Sequence, residues 1–229
     1  MKINADFDKR VLVHAEQLEW IASPMKGVDR RPLDRVGGEV ARATSIVRYA
    51  PGSHFSPHVH TGGEEFIVLE GVFQDQHGDF PVGSYVRNPP QSSHKPGSDD
   101  GCVIFVKLWQ FEPEDRDHVH VRMDKIGAAE IAEGVSVTPL YKDAVEEAAL
   151  YTLAPGAELK LPAGQGAELL MLDGSASEGG DTLERHSWLR VPVGSEIAAK
   201  AGPEGARIWS KIGHLAEVNA QIERVSAVA

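Results

Sequence analysis

The feature that most constrains this chain is that its two halves echo each other. The stretch "YAPGSHF" is followed, nineteen residues after its glycine Gly52, by Gly71 at the end of "FIVLEG". "LAPGAEL" is followed, eighteen residues after Gly156, by Gly174 at the end of "LLMLDG". Downstream, "SYVRNPP" is answered by "SWLRVPVG" and "IFVKLW" by "RIWSKIG". Self-similarity on this scale means one architecture built twice. It predicts two domains, 1–115 and 125–229, joined near "EPEDRDHVHVRMDKIG", whose density of charge suits an exposed connection.

Within each half the punctuation is that of an all-β protein. The 23 glycines and 14 prolines are spread along the chain and separate short runs rich in Val, Ile, Leu, Phe and Tyr. Strands are predicted at "ATSIVRYA", "EEFIVLEG", "GSYVRN", "CVIFVKLWQF", "ALYTLA", "AELLMLDG", "SWLRVP" and "ARIWSKIG", a rhythm that suits sandwiches or barrels. Only the tail after Gly213, with Leu215, Val218, Ile222 and Val225 at helical spacing, reads as helix.

Charge and cysteine content exclude several function classes. A formal net charge of −11 without a Lys/Arg cluster repels phosphate backbones and argues against nucleic acid as a partner. The longest apolar runs, such as "VIFV", are far too short for a helical membrane span, and charges scattered through "MKINADFDKRVLVHAEQ" leave no apolar signal segment, so a cytoplasmic location is expected. Cys102 is the single cysteine, which rules out an intramolecular disulfide and multi-cysteine zinc clusters. It reads as a small apolar residue opening a strand. Any metal must then be held by histidine and carboxylate.

The stretch "GSHFSPHVHTGGEEFIVLEG" offers such a set. Residues two apart in a strand share a face, so His58 and His60 project together. Gly62 and Gly63 permit a tight bend that returns Glu64 to the same place. Phe66 and Val68 share the face of Glu64, while Glu65, Ile67 and Leu69 face away, which favours Glu64 over Glu65. His94, after "YVRNPPQSS", is a fourth candidate. Tyr85 and Arg87 precede it on a strand and are candidates for its inward face, with packing the simpler role. His118 and His120 repeat His-x-His without the glycine pair or the acid and read as solvated. His54 reads as exposed or hydrogen-bonded, and His77 as part of a hairpin turn beside Gly78. His14, His186 and His214 have no partner legible in the sequence.

These residues resemble the two cupin motifs. Gly52, His58, His60, Glu64 and Gly71 meet the first at every spacing, and Gly83, Pro89 and His94 meet the second, with Gln91 where the family usually has glycine. Over roughly residues 10 to 115 the chain is similar to the cupin domain of ChrR-type anti-sigma factors, a group also similar to acetylacetone-cleaving dioxygenases. The resemblance implies two tandem jelly-roll-like β-barrels, the first holding one divalent ion through His58, His60, Glu64 and His94. In ChrR a separate zinc domain with a His-x3-Cys-x2-Cys signature grips the sigma factor, and these residues contain no counterpart to it. In the second half the answering positions are Leu161, Ala163 and Ala167, or Pro162 and Gly164 in a shifted register, and Ile197 stands for His94. A metal-free, packed barrel is expected there.

Three imidazoles and a carboxylate suit Zn, Fe, Mn, Ni or Co, and the residues alone do not choose among them; one divalent ion is expected, zinc first, with iron, manganese or nickel as alternatives. A regulatory or sensing cupin read by a protein partner is the leading expectation. A metal-dependent dioxygenase or related enzyme acting on a small molecule in the first barrel is the alternative, and a structural or storage site the third. A homodimer of the chain is compatible with all three.

Overall fold

The computed structural model describes residues 1–228 and is almost entirely β-sheet. The chain divides into two compact units, each made of several segments. The first comprises Met1–Ala5, Glu19–Asp124 and the residues from Asn219 on; the second comprises Asp6–Leu18 and Lys125–Val218. Among the described residues no helix is long and apolar enough to cross a membrane.

In the first unit an antiparallel sheet runs in the order Val28–Gly37, Ala41–Tyr49, Cys102–Leu108, Glu64–Asp75, Ser84–Asn88 and Val119–Arg122. Alternation along Glu64–Asp75 sends Phe66 and Val68 inward, where they meet Val28, Val47, Phe73, Phe80, Val86, Cys102, Ile104 and Val106 in one apolar core. Gly71 adopts φ 69°, and a Cβ there would lie 2.1 Å from the carbonyl oxygen of Gly101, so only glycine fits this crossing. The second unit repeats the order with Val135–Lys142, Glu147–Leu153, Ile197–Ile212, Ala167–Glu178, Ser187–Val191 and Val11–His14. Gly174 meets the same restriction against Gly205. The repeated glycines of the sequence mark this one crossing, built twice.

The outermost strand of each sheet is unexpected. Val119–Arg122, within the stretch read as an exposed connection, pairs in register with Ser84–Asn88, so His120 of the second His-x-His copy lies on a strand, with His118 just before it. Val11–His14 pairs likewise with Ser187–Val191 in the second unit. The predicted tail helix runs over Val218–Val228 after a 3-10 turn, His214–Glu217. It lies with the first unit, where Gln221 Oε1 accepts from Arg42 Nε at 2.8 Å and Arg224 donates to the Phe111 carbonyl.

On the outward side of each central strand lies a buried rung of charge. Glu65 stands in register between Arg87 and Lys107, and Glu168 between Arg190 and Lys211; none of the six is more than 1% exposed. Tyr85 donates to Glu65 at 2.5 Å and Trp188 to Glu168 at 3.0 Å. Tyr85 and Arg87 therefore do not share the inward face, which Val86 occupies opposite Phe66.

Candidate metal centre

Two short strands position the site. His58–Val59 pairs with Ser93–His94, making His58 and His94 direct cross-strand partners. His60 follows one residue on, its N–H bonded to the Ser92 carbonyl, and the Gly62–Gly63 bend returns the chain to Glu64 at the start of its long strand. Gly62 is indispensable to this path, because a Cβ on it would lie 2.2 Å from the Trp109 ring. Trp109 is itself held at φ 61°, a left-handed conformation that costs a bulky side chain energy and clusters at functional sites.

His58, His60, Glu64 and His94 each bring one donor atom to within 4.8 Å of the others. His60 Nε2 lies 3.2 Å from His58 Nε2 and 3.4 Å from Glu64 Oε2, and His94 Nε2 lies 3.6 Å from the same oxygen. These separations suit neighbouring ligands of one ion, which at bond lengths near 2.1 Å stand about 3.0–3.4 Å apart. The tautomer of His60 supports the fit. Ser92 spends its only hydroxyl proton on the Pro89 carbonyl at 2.6 Å, so its oxygen accepts from His60 Nδ1–H at 3.1 Å and Nε2 keeps its lone pair. Burial pulls the His60 imidazole down to about 4, and burial followed by the neighbouring His94 lowers His58, so both are neutral, the ligand form, near pH 7.

Around the four donors sits a supporting shell that the sequence reading missed. Asp75 Oδ2 lies 3.4 Å from His94 Nδ1. Burial pushes the Asp75 carboxyl up, but its bonds to His94 and to the His77 N–H outweigh this and hold it below its usual value. A carboxylate behind a ligating imidazole orients the ring. Asn88 Nδ2 donates to Glu64 Oε2 at 3.3 Å, and His120 Nε2 lies 3.5 Å from Asn88 Oδ1. Asn88 reaches Glu64 through the strand pairing itself, which the sequence does not announce.

The remaining histidines, apart from the exposed His118, are accounted for locally. His54 pairs with Asp99 at the surface, and His77 sits in the turn between Asp75 and Gly78. In the second unit His14 meets Ser187, His186 meets Glu16, and His214 meets Glu168. The positions answering the four donors there, Leu161, Ala163, Ala167 and Ile197, all lie in its apolar core.

A cavity of about 280 Å³ opens onto the centre, lined by His58, His60 and Glu64 at one end and walled by Val47, Ile104 and Trp109 among others. Tyr49 also lines it, and burial, reinforced by Glu64, raises its phenol well above the usual range, so it stays a neutral donor.

Residues 8–112 match the model of the ChrR cupin-like domain family. This segment is ChrR cupin-like. No protein of curated function matches the sequence. Among solved structures, a candidate dioxygenase from Nostoc punctiforme superposes with TM-score 0.74 at 14% identity, over 91% of this chain and 84% of that one. Ylba from E. coli gives 0.68 at 15%, over 90% and 91%. The bacterial pirin YhhW from Escherichia coli in complex with nickel(II) gives 0.62 at 13%, over 90% and 99%. At these identities the likeness carries the fold, and the site of the ChrR cupin-like domain rests on its own geometry.

Proposed function

We propose that the ChrR cupin-like domain holds one divalent transition-metal ion on His58, His60, Glu64 and His94 and uses it on a small molecule in the adjoining cavity, as a metal-dependent enzyme of the dioxygenase type or a related class. The observation that carries this reading is that three of the four donors line the cavity. A closed structural zinc has no use for an open face, whereas four protein ligands on a six-coordinate ion leave two positions toward the ligand.

Bound there, the ion supplies Lewis acidity and, if iron, manganese or nickel, the means to handle dioxygen. The protein's own contribution is positioning. Ser92 and Asp75 aim the imidazoles of His60 and His94, Asn88 holds Glu64, Tyr49 offers a neutral hydroxyl to an oxygen of the ligand, and Trp109 and the aliphatic wall keep bulk water away. The match to the ChrR family favours a second reading, in which the same occupied site is a sensor read by a protein partner.

Elemental mass spectrometry and X-ray absorption on the purified full chain test the proposal. One ion per chain with water among its ligands, followed by oxygen consumption with dicarbonyl or phenolic compounds, is the expected result. Substoichiometric metal, or zinc bound only by the four side chains, overturns it. A loaded, open site inert toward every substrate moves the weight to sensing.

A further inference from the structure

The strand Val28–Gly37 carries an irregularity with a chemical consequence. Its register with Ala41–Tyr49 pairs Val28 with Tyr49 and Arg30 with Val47, shifts between Pro32 and Asp34, and then pairs Arg35 with Ala43. Val28 and Val47 belong to the inward core, so alternation turns Arg30 inward. Strict alternation would send Arg35, five residues on, to the opposite face. The extra residue at the bulge reverses parity, and both arginines end on the inward face, lining the cavity with Ala43, Ser45 and Val47.

The outward charges of this strand are matched: Asp29 with Arg48 at 2.7 Å, Arg31 over Trp20 at 4.2 Å, and Asp34 with Arg42 at 3.2 Å. Arg30 and Arg35 have no carboxylate within ion-pair distance among the described residues. Arg35 bonds only the backbone carbonyls of Gly38 and Glu39, and the one further acid at the cavity besides Glu64 is Glu39. Desolvation, then repulsion from Arg30, lowers the Arg35 guanidinium, as two unpaired cations sharing a half-buried wall require. Charges are not left so without a counterion in their working state.

We propose that Arg30 and Arg35 form a carboxylate-binding wall, so that the cavity takes a small organic acid with an apolar body and a donor group turned toward His58, His60 and Glu64. The metal-facing end rests on the function proposed above; the acid end stands on the bulge and the two unmatched guanidiniums. Planar, forked guanidinium donors suit a carboxylate. A cavity of 280 Å³, at the lower end of small-molecule pockets, limits the acid to a compact one.

The test uses hexanoate, its uncharged isostere hexanamide and inorganic phosphate as probes on the full chain, both zinc-loaded and after removal of metal by EDTA. Calorimetry reports binding, supported by the change in tryptophan fluorescence, to which Trp109 at the cavity contributes among four tryptophans. Hexanoate should bind at least about tenfold more tightly than hexanamide, and Arg30→Gln and Arg35→Gln should each remove that preference at unchanged metal content, a loss expected for a charge-assisted hydrogen bond. Arg31→Gln, on the outer face, should keep it, which controls for folding. Equal binding of acid and amide, binding of neither, or displacement of hexanoate by equimolar phosphate would overturn the inference. Preference that persists in the EDTA-treated protein, with no ion per chain as purified, would retain it and discard the metal-dependent function.

Discussion

At the scale of single residues, what distinguishes this centre is how each donor is held. Ser92→Ala and Asp75→Asn leave all four donors in place yet remove their orientation, and each should weaken metal affinity about 10–100-fold in a competition titration with a chelator. A second consequence follows from the depressed His60. Below its ordinary value of 6.5 the unfolded chain binds a proton that the folded, metal-free site refuses until about 4, so stability is fully present above 6.5 and drains away as pH falls toward 4. Denaturant melts of EDTA-treated protein should show that slope, and His60→Gln should reduce it to the part that His58 contributes. Gln91 is a third case. It stands where the cupin motif usually has glycine, and its φ of 71° keeps the glycine conformation. Gln91→Gly should stabilise the chain by about 0.5–1 kcal/mol in denaturant midpoints, strain relief exceeding the entropy that glycine gains when unfolded.

At the scale of elements, the charged rungs separate what the fold needs from what the site needs. Glu65 and Glu64 are neighbours in sequence with opposite duties: Glu64 faces the histidines, and Glu65 sits between Arg87 and Lys107. Glu65→Ala takes the carboxylate away from the buried Lys107 ammonium, while Arg87 keeps Asp115 at 2.7 Å, and should cost about 3–5 kcal/mol in unfolding experiments, while folded protein keeps its metal. The second unit retains its rung at Glu168, Arg190 and Lys211 but carries aliphatic residues where the first has its donors. Parity and spacing made His58, His60 and Glu64 legible, because they lie close in sequence around one bend, and His94 was legible through the second motif with Gly83 and Pro89. Asp75, Asn88 and Tyr49 were not legible, because each reaches the site only through strand pairings. Arg30 and Arg35 were hidden further by the bulge, which no alternating pattern announces.

At the scale of the whole molecule, the echo between halves foretold a repeated strand order and could not foretell which segment completes which sheet. Val11–His14 and Val119–Arg122 carry ordinary strand patterns that fit either edge. The Val218–Val228 helix was legible as a helix from its spacing, but its address was not: Gln221, which docks it on Arg42, is one polar residue among several. Gln221→Ala should leave the buried Arg42 Nε short of an acceptor and lower stability by about 1–3 kcal/mol. Hydrogen exchange should locate the loosening in Ala41–Tyr49 and spare Ala167–Glu178.

Because the metal-bearing unit includes both the earliest residues of the chain and those from Asn219 on, it cannot be finished as it leaves the ribosome. The cavity strands emerge first and must wait while nearly a hundred further residues are made before the helix that docks on Arg42 exists. Contacts of such long sequence separation close slowly, and domains that can fold in N-terminal order during synthesis are spared this delay. During that interval His58, His60, Glu64 and His94 are already synthesised, so an early-bound ion would act as a nucleus for a unit whose later piece has yet to be translated.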